Sequence, residues 1–136
     1  MKPTRKFTIP LLAICFAVSA GAAAADLYII GHPSVGLQPS DVRDVYLGEK
    51  QFSGSVRLHP VDNAAAQEAF LAAVMHMSPS AYGSSWTKKA FRQGLTQPPL
   101  QANDAEVVEF VRRNEGAVGY VKAAPSGVKV LQKLSD

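Results

Sequence analysis

Cysteine is nearly absent from this chain. The one example, Cys15, lies inside an apolar stretch near the start. If that stretch is removed, the remainder has no thiol, which excludes disulfides and cysteine-ligated metals. Histidine is scarce too, with three copies at 32, 59 and 76, and no two have the compact spacing of a helical metal motif. No apolar run is long enough to span a bilayer: the longest, from Phe7 to about Ala20, falls short of the roughly 20 residues a spanning helix needs. There is no GxSxG, no phosphate-cradling GxxxxGK and no HExxH. No serine, histidine or aspartate has a placement that names a nucleophile and its base, so a non-catalytic protein is expected.

What is present begins with a leader. "MKPTRKFTIPLLAICFAVSAGAAAAD" opens with Lys2, Arg5 and Lys6, continues through the apolar run and ends in small residues. This is the pattern of a secretory signal peptide, with cleavage expected after Ala25. Ile14 occupies the position that a lipoprotein signal keeps small, so Cys15 is expected to leave with the leader. Residues 26–136 would then be one small domain in a bacterial periplasm, with no membrane insertion after cleavage. The three leader cations leave with it. Eleven cations and eleven carboxylates remain. The balance gives no electrostatic case for nucleic acid or an anionic membrane.

Along the expected domain, "DLYIIGHP" (26–33) reads as a strand buried on both faces. Residues 35–49 read as a helix, with Ser40 as N-cap, Val42, Val45 and Tyr46 at helical spacing, and Gly48 as terminator. "KQFSGS" is a turn, and 56–62 a second strand. Residues 64–77 are alanine-rich, with Phe70, Val74 and Met77 on one stripe, which predicts a helix. Residues 78–94 predict another helix, capped by Ser78, with Pro79 in its first turn and Gly94 at its end. Residues 95–103 are extended and 104–116 form a short amphipathic helix closed by Gly116. Strands 117–123 and 128–134 follow. The alternation predicts an α/β fold, a mixed sheet flanked by helices.

Taken together, "LGEKQF…VRLHPVD", "AFLAAVMHMSP", "WTKKAFRQG" and "AEVVEFVRRNEGAVGYV" resemble the phosphate-binding component of the phosphate ABC transporter. Their order and spacing carry the likeness over nearly the whole expected domain. The resemblance implies one lobe of a periplasmic-binding-protein-like fold (type 2). It implies a solute-binding role in phosphate or other oxyanion transport or sensing. An ABC permease, a sensor protein or a second copy of the chain would be the partner. Two-lobed relatives trap an oxyanion between lobes, and 111 residues supply only one. Such relatives carry an arginine and then Ser-Gly-Thr where the helix after the second strand begins. On this sequence those positions fall near His59 or Pro60 and at Ala64, Ala65 and Ala66. The fixed cation and the hydroxyl donors are both missing.

The candidate ligand residues are therefore His32, Ser34, His59, Asp62 and Asn63. His32-Pro33 and His59-Pro60 each end a predicted strand, and open α/β sheets gather ligands at the carboxyl ends of strands. If the two strands are parallel neighbours, the histidines converge to bind an anion or a metal. Otherwise proline merely stops each strand. At the next corner, either backbone N–H groups at a helix start hold an anion, or Asp62 or Asn63 caps the helix and nothing binds. Lys88, Lys89 and Arg92 lie within about one helical turn of one another, with Trp86 nearby. They are either a docking patch for an acidic partner or a solvated face over packed Trp86, Ala90 and Phe91. No cofactor is expected. A degenerate lobe that binds protein and no small molecule is the alternative role.

Overall fold

The computed structural model describes residues 26–135. The leader, its cleavage site and Cys15 lie outside the described residues. The first strand, β1 (Leu27–Gly31), alternates apolar side chains and sits inside a four-stranded sheet. It is flanked on both sides by the last two strands, β7 (Ala117–Val121) and β8 (Lys129–Leu134), each antiparallel to it. The fourth strand, β4 (His59–Pro60), pairs parallel to β7 at the sheet edge, giving the order β4-β7-β1-β8 and a mixed sheet as predicted.

Alternation along the strands feeds two cores. Ile29, Val118 and Tyr120 face one side, where α1 (Val42–Tyr46), α2 (Gln67–Phe70) and α3 (Pro79–Gln93) pack. Ile30, Ala117 and Val121 face the other, against Val107 and Val111 of α4 (Asp104–Arg113). Full burial of each of those valines contributes on the order of 1.5–3 kcal/mol. Gly119 lets α4 approach the sheet: a Cβ there would lie 2.5 Å from Val107 Cγ1. The close neighbour is thus a helix.

Several elements are shorter than their patterns suggest. The predicted strand 56–62 is three two-residue pieces with different partners. β3 (Val56–Arg57) forms a hairpin with β2 (Phe52–Ser53) inside the predicted turn; β4 joins β7; and β5 (Asp62–Asn63) pairs parallel with β6 (Leu100–Gln101). Pro60 offers no N–H to continue one ladder. In 35–49, Val35 and Leu37 bury as extended chain, and a 3₁₀ turn, Pro39–Asp41, leads into α1. Ser40 lies inside that turn and is not the N-cap of α1, which has no side-chain cap; Asp41 Oδ2 accepts the Gln38 N–H at 2.9 Å. The alanine-rich helix begins only at Gln67, widens into a π-helical turn over Leu71–Met75, and ends on His76 in the left-handed region at φ 52°. The helix α3 follows its pattern: Ser78 Oγ accepts the Ala81 N–H and Gly94 closes the end in the left-handed region. In α4 the cap is Asn103, whose Oδ1 accepts the Glu106 N–H, and the helix ends before Gly116. Gly116 instead threads a turn at φ 79°, where a Cβ would sit 1.9 Å from Arg57 O.

Candidate functional site

Two groups of candidate residues emerge. His32, Ser34 and His59 surround the start of β7. The His32 N–H donates to Ala117 O and the His59 N–H donates to Gly116 O, both at 2.9 Å. The strands carrying them are not parallel neighbours: β7 lies between, and β1 runs opposite to β4. The histidines share a rim because one ends its strand and the other begins its own. The Ser34 N–H donates to His32 Nδ1 at 3.1 Å, and the Ser34 hydroxyl lies 2.7 Å from the same nitrogen. Neutral His32 therefore holds its proton on Nε2. Ser34 Oγ also accepts the Gly116 N–H at 3.1 Å. His32 and Ser34 are half-buried, and His59 is exposed.

Asp62 and Asn63 lie beyond β4, away from that rim, and both are buried. Asp62 accepts hydroxyl protons from Tyr82 and Tyr120, each at 2.7 Å. Burial raises the Asp62 pKa above the usual carboxylate value, while the two phenol hydrogen bonds act in the opposite direction. Burial, and then the charge of Asp62, push Tyr82 and Tyr120 well above the ordinary phenol range. Tyr46, pushed up mainly by burial, donates to Val61 O at 2.8 Å. The phenols keep their protons and act as struts that tie α1, α3 and β7 to residues 61 and 62.

Asn63 has no free polar atom to offer. Its Nδ2 donates to Asp104 Oδ1 at 2.7 Å and to Tyr120 O at 3.0 Å, and its Oδ1 accepts the Ala65 N–H at 3.0 Å. Asp104 Oδ2 accepts the N–H groups of Lys122 and Ala123. The three alanines spend their N–H groups as well: Ala64 donates to Gln101 O, Ala65 to the Asn63 side chain, and Ala66 to Asn63 O. The corner is a closed turn held by Asn63. Neither Asp62 nor Asn63 caps α2, whose first residues follow Ala66 without a side-chain cap.

The basic helix face also rearranges. Lys89 folds inward, its Nζ donating to Leu47 O at the end of α1 and lying 4.0 Å from Glu49. Trp86 is buried, and its indole N–H donates to Tyr46 O at 3.0 Å. Lys88 and Arg92 remain exposed, and Phe91 is 92% exposed beside them. The predicted packing role of Phe91 fails. At helical spacing it projects with Ser84, Lys88 and Arg92 opposite buried Tyr82 and Trp86. The tyrosine pair around Asp62 is the feature that sequence patterns miss; the one signal for it is an acid directly after the apolar Val61 at the end of the predicted strand.

Among the described residues, no group of three or more His, Cys, Asp or Glu side chains comes together as a metal site. No described helix is long and apolar enough to cross a membrane.

A mixed sheet with three helices on one face and one on the other is a fold this chain shares with solved substrate-binding proteins. Solved structures with this fold include a putative phosphate ABC transporter substrate-binding protein with bound phosphate from Clostridium perfringens. It is 18% identical, with a TM-score of 0.60 over 81% of this chain and 46% of that one. PstS from Borrelia burgdorferi is 11% identical, with a TM-score of 0.53 over 73% of this chain and 42% of its own. An ABC-type phosphate transport receptor from Vibrio cholerae is 17% identical, with a TM-score of 0.50 over 81% and 47%. This chain therefore spans less than half the length of each. No family model and no curated protein matches it.

Proposed function

We propose that this chain is an exported, non-catalytic binding domain serving oxyanion transport or sensing, with phosphate as the first ligand to test. The observation that carries this reading is the likeness, over 81% of the chain, to a structure with bound phosphate. The proposed ligand residues are His32, Ser34 and His59 at the rim, with Asp62 and Asn63 holding the separate corner beyond β4 in shape. An ABC permease, a sensor protein or a second copy supplying a facing lobe is the partner, and the periplasm is the location. A site without the arginine and hydroxyl donors of two-lobed relatives lacks several charge-assisted bonds, worth about 1.5–3 kcal/mol each. Weak, millimolar phosphate binding is the expectation.

Two observations favour a second role, a protein-binding accessory lobe without a small ligand. The N–H groups of Ala64, Ala65 and Ala66 are all internally satisfied. The outer face of α3 presents Phe91 between Lys88 and Arg92, a basic, aromatic surface suited to an acidic partner. Lys89 belongs to this face in sequence but is committed to Leu47.

The test is calorimetric titration of phosphate, with sulfate as control, into protein expressed from the full chain and purified after export. Saturable heat with phosphate supports the transport role. No heat up to about 10 mM, a binding free energy weaker than about 3 kcal/mol, removes that role for the lone lobe and favours the accessory one.

A further inference from the structure

A second concavity lies away from the Asn63 corner. It opens between the end of α1, the β2–β3 hairpin, the β4 edge and the segment 94–99, with a volume of about 340 Å³. Three cationic or protonatable side chains line it: Lys50, Arg57 and His59. Its lining contains no aspartate or glutamate. Among the described residues, none of the three makes a salt bridge. The remaining wall is largely apolar, with Trp86, Leu95 and Pro99 prominent. The Trp86 N–H is already spent on Tyr46 O, so the indole offers this pocket apolar surface alone.

We propose that this pocket binds a small organic acid, an anionic head on a ring-sized apolar body. The volume lies within the range of small-molecule sites, which are mostly apolar with a few polar groups that fix orientation. An inorganic oxyanion would leave the Trp86 and proline walls unused. A neutral apolar molecule would leave Lys50 and Arg57 without a counter-charge. A peptide strand is disfavoured, because the adjacent edge β4 is two residues long and one of them is Pro60, which has no N–H to share. This proposal does not rest on phosphate binding or on the Asn63 corner, although His59 belongs both to this lining and to the rim proposed for phosphate.

Trp86 is the only tryptophan in the chain, so its fluorescence reports on the pocket directly. Full-length chain, expressed and purified as above, is titrated with cyclohexanecarboxylate and benzoate, with benzyl alcohol and inorganic phosphate as comparators. The expected result is a saturable change with at least one of the two acids and with neither comparator. The double variant Lys50→Gln/Arg57→Gln, whose fold is checked by circular dichroism, should weaken acid binding by about tenfold or more, since it removes both fixed cations of the lining. An equal response to benzyl alcohol overturns the role of the cations, and an equal response to phosphate overturns the role of the apolar wall. No saturable response to either acid, or unchanged binding by the double variant, overturns the proposal.

Discussion

The Tyr120 hydroxyl donates to Asp62 Oδ1 at 2.7 Å. That bond ties a buried carboxylate on β5 to β7, while the Tyr120 ring stacks on Phe70 with centroids 3.9 Å apart and planes 5° from parallel. One side chain thereby fixes the polar corner and the apolar layer beneath it.

Asp62 should make stability depend on pH. Its folded pKa is raised above the ordinary carboxylate value by burial. The folded state then holds this proton more tightly than the unfolded chain does. The contribution is fully present below the unfolded pKa and is lost as pH rises through the raised folded value. Urea denaturation at several pH values should show this fall in the parent protein and its absence in Asp62→Asn. A fall of equal size in the variant would assign it to other groups.

Tyr82→Phe removes one of the two hydroxyls that Asp62 accepts and leaves the apolar ring in place. The expected loss of stability is about 1–3 kcal/mol, because the carboxylate stays buried with one fewer donor. Chemical denaturation measures it. Less than about 0.5 kcal/mol would mean that water replaces the hydroxyl.

Asn63→Ala should open the corner. It removes two donated bonds and one accepted bond and frees the Ala65 N–H. Amide hydrogen exchange at Ala65 and around Lys122 should accelerate, with a stability loss of a few kcal/mol on the order expected for a broken buried network. Unchanged protection at Ala65 would show that the turn holds without its side chain.

Phe91→Ser should cost almost no stability, within about 0.5 kcal/mol, because the ring is 92% exposed. If the accessory role is right, the same change should weaken capture of an acidic protein partner while thermal unfolding stays where it was. A clear drop in the unfolding midpoint would place Phe91 in the packing that its sequence position suggests.

The sheet was legible where period and partner agree. "LYIIG" and "AVGYV" read as strands because alternate residues feed two cores, and both are central in the sheet. Residues 56–62 read as one strand because local pattern carries no information on partners; the chain changes neighbour every two or three residues there. Alanine propensity favours a helix from Ala64, but the Asn63 side chain captures the Ala65 N–H and holds a turn instead. Convergence of His32 and His59 was expected only if their strands were parallel neighbours; the strands instead run in opposite directions on either side of β7, and the two residues border its start from either side. Tyr82 and Tyr120 meet at Asp62 from positions 38 apart in sequence, a convergence that no local pattern encodes.

The placement of β1 sets an order of events. Leu27 pairs with Leu134, and Ile30 pairs with both Gly119 and Val130. Of the described strands, β1 is synthesised first and its partners β7 and β8 last. The sheet therefore cannot close until almost all of the described chain is available, and such non-local pairing is intrinsically slow to form. A chain with this topology stays open through most of its synthesis.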